Sequence, residues 1–132
     1  LKESMKEYGL WQNLKRNLKK PLWQRIETGG TGRGIADVFG VLEGHCCWVE
    51  LKIARGNKVA LSPEQVGWLI KFSRAGVRTF ILVGTDKKTM YLFPGEEARE
   101  VLDLGLKHGP RLKLKLPYDW ELLQQTLFFD GY

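Results

Sequence analysis

The stretch "CCWVELKI", Cys46 to Ile53, alternates along its length. In an extended chain Cys47, Val49, Leu51 and Ile53 fall on one face, and Trp48, Glu50 and Lys52 fall on the other. An acid and a base thus leave the same side of one strand among apolar neighbours. Just upstream, "IADVFGV", Ile35 to Val41, reads as a second short strand with Asp37 inside it. Acids within a helix-covered sheet are expensive unless they are paired or bind metal.

The three charged residues have a direct chemical use together. Two carboxylates from neighbouring strands, with a backbone carbonyl such as that of Leu51, make a hard oxygen donor set suited to Mg²⁺. Such a metal polarises a phosphodiester and lowers the pKa of a bound water so that it attacks phosphorus. A lysine two residues along the same strand orients that water or stabilises charge developing on the phosphate. The competing reading is a Glu50–Lys52 ion pair on a solvated sheet, with Asp37 a turn residue. The apolar context of both strands favours the first.

Working outward, residues 3–18 have helical apolar spacing at Leu10, Trp11, Leu14 and Leu18, stopped by Pro21. "LWQRIE" alternates as a strand and "EGH" is a turn. "LSPEQVGWLIKFSRAG" carries helix punctuation: Ser62 as N-cap, Pro63 at the first helical position, Gln65 at capping-box spacing and Gly76 as the stop. "VRTFILVG" and "TMYLFPG" flank the turn "TDKK" as a strand pair. "EEAREVLDLGL" reads as a short helix, "RLKLKL" as an edge strand and "DWELLQQTLF" as a terminal helix. The order α-β-β-β-α-β-β-α implies an α/β (α+β) domain with a central mixed sheet flanked by helices.

Two more residues bear on the charged group. Glu7 shares a helical stripe with Trp11, Leu14 and Leu18, so it is either a partner of the helix dipole or an inward-pointing ligand. Gln65 is either the capping-box glutamine alone or an amide that points into the site across the loop after "VELK".

The bulk properties narrow the classes. The chain has 132 residues, 43% hydrophobic and 27% charged, and reads as a single domain over 1–132. No apolar run approaches the roughly 20 residues of a membrane span, and the lysine-rich start lacks the apolar region of a secretory signal. Cys46 and Cys47 are adjacent, which disfavours a mutual disulfide and any disulfide framework and fits a cytoplasmic setting. A zinc site from these cysteines with His45 and His108 lacks the usual spacing. A net charge of +6 favours a polyanionic partner.

The residues "IAD … WVELK" resemble the core motif of the PD-(D/E)XK nuclease superfamily, whose members share a restriction-endonuclease-like core. The continuation "ALSPEQVGWLIKFSRAGVRTFILVG" resembles the VRR-NUC (virus-type replication-repair nuclease) branch, with its lysine-bearing strand followed by a helix beginning S/T-P-x-Q. The likeness runs from Glu7 to Phe93, within a core at about 3–94. It implies that Asp37 and Glu50 ligate a metal, that Lys52 is the catalytic lysine and that Gln65 supports the site. Glu7, with Glu3 as rival, would be the acid many members carry on the first helix. Members cleave DNA with Mg²⁺ or Mn²⁺. Stand-alone VRR-NUC proteins, like the similar archaeal Holliday junction resolvases, tend to be homodimers acting on branched DNA, and many are encoded by phages or prophages. The chain has Ala36 where the family usually has proline before the aspartate. A catalytically silent nucleic-acid-binding module and a restriction-type nuclease are the competing functions.

The loop "TGGTGRG", Thr28 to Gly34, lacks the Lys-Ser/Thr of a phosphate-binding loop and opens a strand rather than a helix. It reads as an approach that lets a DNA backbone near the metal site. Arg33 within it, Arg25 before it, Lys15 and Lys19 at the end of the first helix, and Arg55 and Lys58 after the Glu50 strand are the expected DNA contacts. The extension over 95–132 has no counterpart in the resemblance. Its "RLKLKL" suits either a phosphate backbone or a lysine-guarded edge.

Overall fold

A computed structural model describes residues 2–26 and 34–131 of the chain, with the side chains of 2–6 excepted. Its elements run α1 (Lys2–Asn17), β1 (Leu22–Arg25), β2 (Val38–Leu42), β3 (His45–Ile53), α2 (Pro63–Arg74), β4 (Thr79–Gly84) and β5 (Thr89–Pro94). α3 (Ala98–Leu104), β6 (Leu112–Lys115) and α4 (Trp120–Phe128) follow. The six strands form one sheet in sequence order, antiparallel throughout except between β3 and β4. That one parallel pair requires a crossover, which α2 provides.

The alternation in β3 divides the core into two layers. Val49 and Leu51 face α1 and α4, packing with Leu10, Trp11 and Leu14 and with Leu123, Leu127 and Phe128. The opposite face packs Ile81, Val83 and Phe93 against Val66 and Leu69 of α2 and Ala98 and Val101 of α3. The mixed sheet flanked by helices is therefore the expected α/β (α+β) architecture.

α2 begins as its sequence dictates. Ser62 accepts from Gln65 N at 3.1 Å, Ser62 N donates to Gln65 Oε1 at 3.0 Å, and Pro63 occupies the first turn. Beyond Ala75, Gly76 takes φ +100°, the left-handed conformation that ends helices.

The extension is tied into the sheet. β6 is an edge strand beside β5, and Asp119 caps α4 by accepting from Leu122 N. Arg78, just before β4, donates to the carbonyls of Thr126, Leu127 and Asp130 at 2.7–2.8 Å, holding the end of α4.

One element departs from expectation. Asp37 lies in a bend before β2, not within it, because the β2–β3 ladder ends at Val38 opposite Val49. The Asp37 side chain takes over where the ladder stops: its Oδ2 accepts from Leu51 N at 2.8 Å. Its backbone carbonyl still accepts from Ile26 N at 2.7 Å.

Candidate active site

Glu50 is the centre of the site. It projects from β3 into the α2 layer and is 1% exposed. Its Oε2 accepts from Gln65 Nε2 at 3.0 Å and lies 3.6 Å from Lys52 Nζ. Its Oε1 is buried and has no hydrogen-bond partner among the described residues. An orphaned buried carboxylate oxygen is costly and marks a position for a cation or a proton.

The electrostatics agree. Burial, chiefly, and the neighbouring Asp37 charge push the Glu50 carboxyl up to about 9 against the pull of Lys52. Two carboxylates forced together in a dry setting need a positive charge between them to stay ionised.

Gln65 fills both of the roles open to it. Its amide oxygen closes the capping box, and its amide nitrogen grips Glu50. The helix start is thereby fastened directly to the strand that carries the acid.

The donor set is compact. A strand residue presents its N–H and C=O to the same side, so the Leu51 carbonyl faces the side where its amide meets Asp37. Asp37, Glu50 and that carbonyl supply hard oxygen donors of the kind Mg²⁺ takes while keeping several waters. No group of three or more His, Cys, Asp or Glu side chains converges among the described residues, so two side-chain ligands is the limit there.

The zinc reading is excluded by the same placement. Cys46 is exposed and Cys47 buried, on opposite faces of β3. His108 pairs with Glu97 at 2.7 Å and His45 packs edge-on against Phe129. Burial pushes the Cys47 thiol up, which leaves it inert as a nucleophile.

Beside the site lies a cleft of about 840 Å³ lined by Glu7, Lys52, Arg55, Lys58 and Lys107, among others. The structure brings Glu7, Lys52, Arg55 and Lys58 together in this cleft, and adds Lys107 from the extension. Sequence periodicity held no signal for Lys107, which reaches the cleft because Leu106 N donates to Asn57 O. Arg25 covers the Tyr8 ring at 5.7 Å and Lys15 the Trp11 ring at 5.2 Å. With Lys19, they lie outside the cleft lining. Arg33 and the glycine loop up to it fall outside the described residues, as does the Glu3 side chain. Gly34 is described: it has φ +85°, and a side chain there would come within 2.4 Å of the Glu64 carbonyl oxygen. The glycine lets the loop's end pack on the start of α2.

The family model described as archaeal Holliday junction resolvase (Hjc) matches residues 10–106. Among solved structures, the chain is similar to Hjc of Archaeoglobus fulgidus, a Holliday junction resolvase from an archaeal hyperthermophile. The two are 18% identical, with a TM-score of 0.52, over 68% of this chain and 74% of that one. At that identity the likeness is one of fold. No curated protein matches the chain.

Proposed function

Since this chain belongs to the archaeal Holliday junction resolvase (Hjc) family, we propose that it is a metal-dependent endonuclease hydrolysing phosphodiester bonds in branched DNA such as four-way junctions. The observation that carries the reading is Glu50: a buried acid with one orphaned oxygen, set between Asp37 and Lys52.

Asp37, Glu50 and the Leu51 carbonyl are the groups that would hold Mg²⁺ or Mn²⁺. When bound, the ion supplies Lewis-acid polarisation of the phosphodiester and an activated water. The chain's own residues do the rest. Lys52, anchored 3.6 Å from Glu50, holds its ammonium at the cleft to orient the attacking water or to stabilise charge on the phosphate. Gln65 fixes the Glu50 carboxylate, and so acts as a positioning residue. Glu7 stands in the wall of the cleft beside Lys52. Arg55 and Lys58 offer cations to the DNA backbone there.

The protein acts as a homodimer with one active site per subunit, in the cytoplasm, where its two thiols stay reduced. Membership of the VRR-NUC branch, with phage or prophage coding, belongs to the same proposal and is supported by the Ser62–Pro63–Glu64–Gln65 start of α2.

The test is cleavage of labelled four-way junction, splayed-arm, duplex and single-stranded DNA in Mg²⁺, Mn²⁺ or EDTA. Metal-dependent cutting, greatest on the junction and lost in Lys52→Ala and Asp37→Ala, is expected. Tight, salt-sensitive binding without cutting in either metal would instead identify a silent binding module.

A further inference from the structure

A row of residues crosses the sheet from the active site to its far edge. Lys52 pairs with Val83, Val83 with Tyr91, and Tyr91 with Lys113. Paired residues in a sheet project to the same face. The core confirms it for both ends, since Leu51 beside Lys52 and Leu114 beside Lys113 both pack into the α1–α4 layer. Lys113 therefore leaves the same face, at the same level of the sheet, as Lys52. Lys115, paired with Thr89, sits one step nearer the sheet's end.

At that edge the lysines gather. Lys87, Lys88, Lys113 and Lys115, with Thr89, Tyr91 and Leu116, line an open recess of about 650 Å³. All four lysines are exposed. Lys113 Nζ lies 5.3 Å from the Tyr91 ring centre, which holds its ammonium over the recess wall. Asp86, the acid of the same turn, lines a neighbouring apolar recess and not this one. An edge strand needs a lysine or two to resist pairing with other chains. Four lysines converging from one strand and a turn exceed that need.

We propose that Lys87, Lys88, Lys113 and Lys115 form a second phosphate-binding surface, which grips the arm of a DNA duplex whose scissile strand lies at Lys52. The inference rests on the nuclease reading for what sits at Lys52, and on the row of paired strands for the rest. Three inter-strand steps separate Lys52 from Lys113, about 14 Å. A strand of duplex advances about 3.4 Å per base pair, so the surface meets phosphates roughly four base pairs from the cut. Lys107 adds a further cation to the cleft beside Lys52.

The test is equilibrium binding of a four-way junction and of linear duplex in EDTA, over a series of salt concentrations. Each phosphate contact contributes a slope of about −0.9 in log K against log salt. Lys113→Gln/Lys115→Gln is expected to make the slope shallower by about 1.8, so that affinity lost between about 50 and 200 mM salt shrinks roughly tenfold. Lys113→Arg/Lys115→Arg is expected to keep the wild-type slope, and Lys71→Gln/Arg99→Gln, the same charge loss on two helices, is expected to leave it unchanged. Protection of the backbone about four base pairs from the cut should vanish in the first variant alone. An unchanged slope in Lys113→Gln/Lys115→Gln, or an equal loss in Lys71→Gln/Arg99→Gln, would overturn the surface. A wild type that binds but never cuts would overturn the nuclease reading and leave this measurement standing.

Discussion

Gln65 donates a 3.0 Å hydrogen bond from Nε2 to Glu50 Oε2 while its Oε1 accepts from the Ser62 backbone. One side chain thus closes a helix cap and restrains a buried acid. The two functions separate by mutation. Ser62→Ala removes only the cap and is expected to cost about 1 kcal/mol of stability with cleavage retained. Gln65→Ala removes both and is expected to cost about 1–2 kcal/mol and to lower junction cleavage as well. Chemical denaturation beside cleavage rates reads the difference, and equal cleavage in the two variants would place Gln65 in the cap alone.

Glu50 makes metal-free stability depend on pH. Its carboxyl is raised from 4.5 to about 9 by burial, by Asp37 and, least, by Glu7, against Lys52. Between those values the folded protein holds a proton that the unfolded chain has lost, so stability falls as pH rises across the window. Denaturation in EDTA from pH 5 to 9 is expected to show this fall, and Glu50→Gln is expected to flatten it. Added Mg²⁺ should restore stability at the alkaline end, because binding replaces the proton. A pH profile identical in wild type and Glu50→Gln would remove Glu50 as its source.

Gly34→Ala is expected to destabilise the protein by about 2 kcal/mol or more, since its φ of +85° disfavours a side chain and the Cβ meets the Glu64 carbonyl at 2.4 Å. The clash lies one residue from Gln65, so cleavage should fall with it. Wild-type stability in this variant would show that the loop's end repacks freely.

Arg78→Ala removes two bonds to the last carbonyls of α4 and a third to Asp130 just beyond it. The expected cost is about 2–4 kcal/mol, with faster proteolysis in the residues after Leu116. Unaltered proteolysis there would mean that the apolar face of α4 suffices to hold it.

These residues also show what the sequence made legible. Alternation in "CCWVELKI" was enough to put Glu50 and Lys52 on one face, because strand geometry is local. Ser62, Pro63 and Gln65 marked the start of α2 for the same reason. Asp37 read as a strand residue because its neighbours are apolar, whereas its side chain replaces a ladder bond to Leu51, and only the register shows that. Arg78 and Lys113 were opaque. One acts on residues some fifty positions away, and the other reaches the row of Lys52 through three strand pairings that no local pattern encodes. Arg25 and Lys15 were expected at DNA by charge alone, and their packing over the rings of Tyr8 and Trp11 is a tertiary feature that charge does not encode.

The central claim is that Asp37, Glu50 and the Leu51 carbonyl hold the metal that cleavage needs. Anomalous diffraction from crystals soaked in Mn²⁺ tests it most directly. The expected result is a single strong peak, or a close pair, contacting both carboxylates and that carbonyl, and lost in Asp37→Asn. A Mn²⁺ peak elsewhere in the chain, with these oxygens unliganded in a protein that cuts DNA, would contradict it.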